Sequence, residues 1–152
     1  MNGETRDTPR SGYFEGGEHR FPLRVYFEDT DLSGIVYHAN YLRFMERARS
    51  DMLRLAGIDQ RAAMETGEGA YAVVALAIKY RAPARLDDDL LVVSIVAEIR
   101  AASCVIHQRV MCGNEILSAA QVTAALVSAE GRPKRQPREW VEIFKRLKTG
   151  DG

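Results

Sequence analysis

The sequence predicts an α+β fold, one antiparallel sheet with a long helix laid against it, and three observations carry that reading. One amphipathic pattern of helical period runs from Tyr41 to Leu55. A single short apolar run precedes it. Four extended runs rich in aliphatic and β-branched residues follow it, the last three joined by short turns. A strand–helix–four-strand order suits an antiparallel sheet with the helix on one face. At 152 residues the chain is sized for one domain.

Taken in order, residues 1–20 are polar, carry four glycines, and are expected to form a disordered lead. The first strand is expected over 21–29, "FPLRVYFED". The helix then places Tyr41, Met45, Ala48, Met52 and Leu55 on one face, with Asn40 as its N-cap and Gly57 as a left-handed stop. Residues 58–69 read as a short helix or loop. Strands are expected over 70–81, 89–99, 103–112 and 115–128, and Gly113-Asn114 between the last two is a two-residue hairpin signal. A turn-rich linker leads to a last amphipathic helix over 138–148, with Trp140, Ile143, Phe144 and Leu147 on one side. The expected division is therefore a lead over 1–20, a domain over 21–131 with a five-stranded sheet wrapped around one helix, and a basic linker and helix over 132–152.

Composition narrows the function. Acidic and basic side chains balance at 21 each, without the basic excess of a nucleic-acid binder. Cys104 and Cys112 lie eight residues apart within one expected strand, too far to bridge, and lack zinc-ligand spacing. They read as free thiols in a reducing compartment, and the cytoplasm is the expected location. No apolar run approaches the roughly 18 residues of a membrane span.

The polar chemistry concentrates in "EDTDLSGIVYHANY", residues 28–41, where three carboxylates, Gly34, His38 and Asn40 precede the helix. A helix start exposes unpaired amides and about half a positive charge. A carboxylate on the preceding loop, beside such donors, forms the minimum arrangement for acyl transfer. The same residues also serve simply to turn a chain and cap a helix. Asp29, Asp31 and His38 supply too few donors for a metal, and none is expected.

The segment "YFEDTDLSGIVYHANYLRFMERARSDMLR", residues 26–54, closely resembles the signature of the hot-dog-fold acyl-CoA thioesterases. More narrowly, it resembles the 4-hydroxybenzoyl-CoA thioesterase family and its Tol–Pal-associated branch. A second, weaker likeness lies in "KYRAPARLDDDL", 79–90. Together with strand order, the resemblance spans about 21–133. It implies a hot-dog fold and assigns Asp31 as nucleophile or general base. It implies that the backbone N–H of His38 polarises the thioester carbonyl, with the His38 side chain adding polarity nearby. Gly34, Tyr37, Asn40 and Tyr41 match positions that shape the entrance, Asp29 reads as structural, and Glu46 is a reserve candidate because another hot-dog lineage carries its carboxylate on the helix.

Lys79, Arg81 and Arg85 are candidate contacts for the phosphates of coenzyme A. The resemblance implies an acyl-CoA substrate, or an acyl group on a carrier protein, no cofactor, and a homodimer or homotetramer with the acyl site between subunits. Residues 132–148 hold seven Lys or Arg against two Glu. That last helix is expected to dock on the domain, with a membrane surface or an envelope complex as the other possible contact. Two further readings stand beside hydrolysis: a hot-dog hydratase acting on enoyl thioesters, and a non-catalytic acyl-carrier or envelope-complex binding protein.

Overall fold

The computed structural model describes residues 6–150. In chain order the elements are β1 (Tyr13–Glu15), β2 (Glu18–Arg24), a 3-10 turn (Phe27–Asp29), α1 (Asn40–Leu55), α2 (Gln60–Glu65), β3 (Ala70–Tyr80), β4 (Asp89–Ile99), β5 (Ser103–Cys112), β6 (Glu115–Val127) and α3 (Arg138–Thr149). The strands form one antiparallel sheet in the order β1-β2-β4-β5-β6-β3. This is the expected α+β hot-dog arrangement, with six strands rather than five.

The extra strand lies in the expected lead. Glu15 pairs with Glu18 across Gly16-Gly17, and Gly16 has a φ of 60°. Two glycines between short runs close a two-residue hairpin, because a primed turn needs left-handed backbone. The sheet thus begins at Tyr13, not Phe21; the part of the expected lead over residues 1–5 lies outside the described residues. At its other end the first long strand stops early. The Asp29 carboxylate accepts a bond from the Tyr26 amide at 2.9 Å and the chain tightens into the 3-10 turn. A short acidic side chain bonding the nearby backbone competes with the ladder.

The remaining strands fall where their apolar runs predict. Cys112 pairs with Glu115 across Gly113-Asn114, with Gly113 at φ 59°. Helix α1 buries Tyr41, Phe44, Met45, Ala48, Met52 and Leu53. Its first half packs on Phe21, Leu90, Val92, Val110 and Val122. Each large apolar side chain so buried contributes ~1.5–3 kcal/mol. Leu55, expected on this face, is 41% exposed. Ile58 and α3 cover the Leu53 side of the last turn instead, in a second cluster with Met52, Val96, Phe144 and Leu147.

Several polar groups under α1 are paired, although the buried His19 Nδ1 has no hydrogen-bond partner among the described residues. The Gln108 amide donates to the Met45 carbonyl and to Ser94 Oγ, each at 2.9 Å, and accepts from Arg49 at 2.9 Å. Fully buried His19 meets the Asp51 carboxylate at 2.7 Å, and the Gly12 amide donates to the same oxygen. Burial lowers the His19 pKa and outweighs the carboxylate beside it.

The C-terminal segment is strapped to the sheet through Gln136, which is buried. Its backbone amide donates to the Ala101 carbonyl, its side chain donates to the Arg100 and Ser103 carbonyls, and it accepts from Tyr71 Oη. Helix α3 then lays Phe144 and Leu147 into the second core cluster, so its apolar face is occupied by this chain. Burial also pushes the Cys104 thiol in that cluster up to about 11.

Helix α1 leaves one part of the inner sheet face bare. On the edge strand β3, Val73, Leu76 and Tyr80 pair with Ala124, Val122 and Ser118 and so share their face. Each is nevertheless 42–48% exposed.

Candidate active site

The loop before α1 is a small hairpin. The Tyr37 amide donates to the Asp29 carbonyl at 3.0 Å, Thr30 bridges Val36, and the Asp31 amide donates to the Ile35 carbonyl at 2.9 Å. At the tip the Gly34 amide returns to the Asp31 carbonyl at 3.1 Å, with Gly34 at φ 80°. A three-residue loop closed by a left-handed residue favours glycine there, since residues with a Cβ are strained at that φ even though the space around it is open. The hairpin is held from below: buried Val36 donates to the Ala84 carbonyl, and Ile35 bridges Arg85.

This geometry fixes Asp31 at an exposed tip. Its Oδ1 accepts from the Ser33 hydroxyl at 2.5 Å and from the Ser33 amide at 2.8 Å. Those two bonds, the hydroxyl first, hold the Asp31 pKa below the ordinary aspartate value. The carboxylate is therefore ionised and oriented, with Oδ1 held by Ser33.

Helix α1 begins without a side-chain cap; Ala39 occupies the N-cap with helical backbone angles. Asn40, expected to cap, is the first helical residue instead. Its amide side chain reaches back to the Asp29 carbonyl at 2.9 Å, tying helix to hairpin. Among the described residues no backbone acceptor takes the His38 amide. Free amides at a helix start carry the positive end of the helix dipole and suit a developing oxyanion. The His38 carbonyl accepts from Tyr80 Oη at 3.0 Å, and its ring lies 4.6 Å from that of Tyr37 and 6.1 Å from that of Tyr80. Buried Tyr41 accepts from the Ala84 amide at 2.9 Å, and burial raises its pKa.

The structure thus gathers Asp31, Gly34, Tyr37, His38, Asn40 and Tyr41 around one hairpin and helix start. Arg85 joins them through its backbone, with its side chain in solvent. Arg81 is exposed just past β3, its amide donating to the Leu117 carbonyl. Lys79 does not join them. Side chains alternate along a strand, and Lys79 pairs with Ala119 on the sheet face opposite Tyr80. Glu46 lies six residues into α1, on the rim of a separate cavity. Tyr80 is the residue the sequence reading missed; only the position of β3 beside the helix start brings its phenol to His38. Among the described residues no group of three or more His, Cys, Asp or Glu is arranged to hold a metal.

A model of the thioesterase superfamily matches residues 33–119, from just past Asp31 into β6. The chain belongs to the thioesterase superfamily. Within it, the chain is 43% identical over 129 residues to the acyl-CoA thioesterase YbgC of Haemophilus influenzae, covering 84% of this chain and 95% of the relative. It is 41% identical over 128 residues to the acyl-CoA thioester hydrolase YbgC of Escherichia coli, covering 83% and 95%. Among solved structures it superposes on a probable thioesterase from Bartonella henselae with a TM-score of 0.74 at 37% identity, covering 79% of this chain and 99% of the other. A 1,4-dihydroxy-2-naphthoyl-CoA thioesterase from Synechocystis, at 22% identity and a TM-score of 0.79 over 86% of this chain and 97% of its own, shares the fold.

Proposed function

We propose that this chain hydrolyses acyl-CoA thioesters, with Asp31 as nucleophile or general base and the His38 backbone amide as the donor to the thioester carbonyl. The observation that carries the reading is an ionised carboxylate, oriented by Ser33, on a hairpin that runs into an uncapped helix start. Family membership and the names of the relatives support the substrate class.

In the base route, Asp31 takes a proton from water as the water oxygen attacks the carbonyl carbon. The oxyanion of the tetrahedral intermediate is held by the His38 amide. The C–S bond then breaks, and the thiolate of coenzyme A leaves and takes up the proton. In the nucleophile route, Asp31 attacks first, the thiolate leaves, and water cleaves the resulting mixed anhydride. One well-aimed oxyanion donor lowers the barrier by ~2.7–4 kcal/mol, and a positioned base adds ~10²–10⁴-fold. The donor is a backbone group, so the His38 side chain contributes polarity rather than a proton.

The bare apolar strip of β3, an edge strand, supports pairing with a second copy into a dimer or tetramer, which leaves the acyl site beside that interface. Arg81 and Arg85 suit the phosphates of coenzyme A, or the phosphopantetheine of a carrier protein. No helix among the described residues is long and apolar enough to cross a membrane.

Thiol release from short, long and aromatic acyl-CoAs tests the reading, with Asp31→Asn alongside. Turnover by the parent and its collapse in the variant are expected; equal release by both would return the chain to a binding role.

A further inference from the structure

A cavity of about 270 Å³ lies beyond the middle of α1, away from the hairpin. Its apolar walls are Leu53 of α1, Tyr71 and Val73 of β3, Ile106 of β5, Ala124 of β6 and Phe144 of α3, and Glu46 and Arg49 belong to its helical rim. Ligand sites usually enclose ~300–1,000 Å³, so this one suits the end of a ligand rather than a whole one.

The bare strip on β3 connects this cavity to the candidate active site. Tyr80, at one end of the strip, donates to the His38 carbonyl. Leu76 and Val73 continue along the same face, and Tyr71 at the other end is in the cavity wall. Along the helix, six residues separate Asn40 from Glu46, about 9 Å, and thirteen separate it from Leu53, about 20 Å. An acyl group whose carbonyl sits at the helix start must therefore run about 9 Å before its tail enters.

Phe144 closes the path. It is 1% exposed, and its ring meets that of Tyr71 edge-on at 6.3 Å. Tyr71 is itself fixed by its bond to Gln136, which straps the C-terminal segment to the sheet. The end wall is thus a rigid aromatic side chain, supplied by the C-terminal helix and not by the sheet.

We propose that this cavity takes the tail of the acyl group and that Phe144 sets the longest chain accepted. The inference rests on the thioesterase reading and deepens it. Acetyl and other short groups end before the cavity, whereas medium chains fill it. Longer chains meet the Phe144 ring.

The test is kcat/KM across acyl-CoAs from acetyl to palmitoyl for the parent, Phe144→Leu and Ala124→Leu. Phe144→Leu should raise the palmitoyl-to-acetyl ratio about tenfold, and Ala124→Leu, which fills the cavity from β6, should lower the ratio of medium chains to acetyl by a similar factor. The two substitutions act from different elements, so poor folding of one leaves the other informative. A parent that turns over acyl-CoAs while neither variant alters the order of preference overturns the proposal. A readout independent of turnover is the emission of Trp140, the sole tryptophan, whose ring lies 5.9 Å from that of Tyr71. Titration with free fatty acids should shift it for medium chains and not for acetate. If the parent releases no thiol, the functional reading fails while this titration still decides the cavity: no response at any chain length overturns it.

Discussion

The two ends of α1 are built on opposite principles. The C-terminal end is sealed: Met52 and Leu53 are buried with Ile58, Phe144 and Leu147, and Gly57, at φ 94°, turns the chain away. The N-terminal end is open. It has no side-chain cap, and Asp31, Tyr37 and His38 around it are exposed. Packing secures the far end of the helix, so the near end can keep amides unsatisfied, a cost that a shorter or looser helix would not sustain. On the proposed mechanism stability and chemistry are thereby separated along one element, and substitutions at the two ends should fail in different ways.

The largest effect belongs to the open end. Asp31→Asn should cut kcat by about 10²–10⁴-fold with KM changed little, and leave the melting temperature near that of the parent because the side chain is exposed. A fall in stability matching the fall in rate would erase the contrast between the two ends.

At the sealed end the expected loss is in stability. Tyr71→Phe removes the shorter of two bonds to the buried Gln136 carbonyl oxygen, leaving Cys104 Sγ at 3.5 Å as its donor, and should cost about 0.5–1.5 kcal/mol in denaturant unfolding. Gly34→Ala, back at the hairpin, forces a Cβ into left-handed backbone and should cost about 1–2 kcal/mol. Because the strain lies beside Asp31, turnover should fall as well, whereas Tyr71→Phe should leave thiol release from acetyl-CoA close to the parent rate at temperatures where it is folded.

Two pH experiments sharpen the contrast further. Ser33 holds the Asp31 pKa down, and in the proposed mechanism the ionised form is the active one. The acid limb of kcat/KM should therefore lie below the ordinary aspartate value of about 3.9, and Ser33→Ala should move it up toward that value. His19 works through stability. Its folded pKa is lowered, so the folded state binds fewer protons than the unfolded chain once pH falls below about 6.5. The melting temperature should be full above that pH and decline below it until the folded pKa is reached. A His19→Gln variant should show a flatter profile over the same window.

The sequence by itself determined the element order, the long helix, the four later strands and the composition of the loop, because period and turn residues are local properties of a chain. The resemblance at residues 26–54 pointed to the family that the comparison then established. The missed elements were lost for physical reasons. Gly16-Gly17 reads equally as a flexible lead or as a hairpin turn until the pairing of Tyr13–Glu15 with β2 decides it. Asn40 is a good cap by type, but the Asp29 carbonyl of the folded hairpin competes for its side chain. Lys79 and Tyr80 are neighbours in sequence, and only the sheet's pleat sends one to each face. Tertiary structure alone decided what the edge strand leaves bare and what the C-terminal helix closes. Both depend on which surfaces meet across long stretches of chain, and no local pattern encodes that meeting.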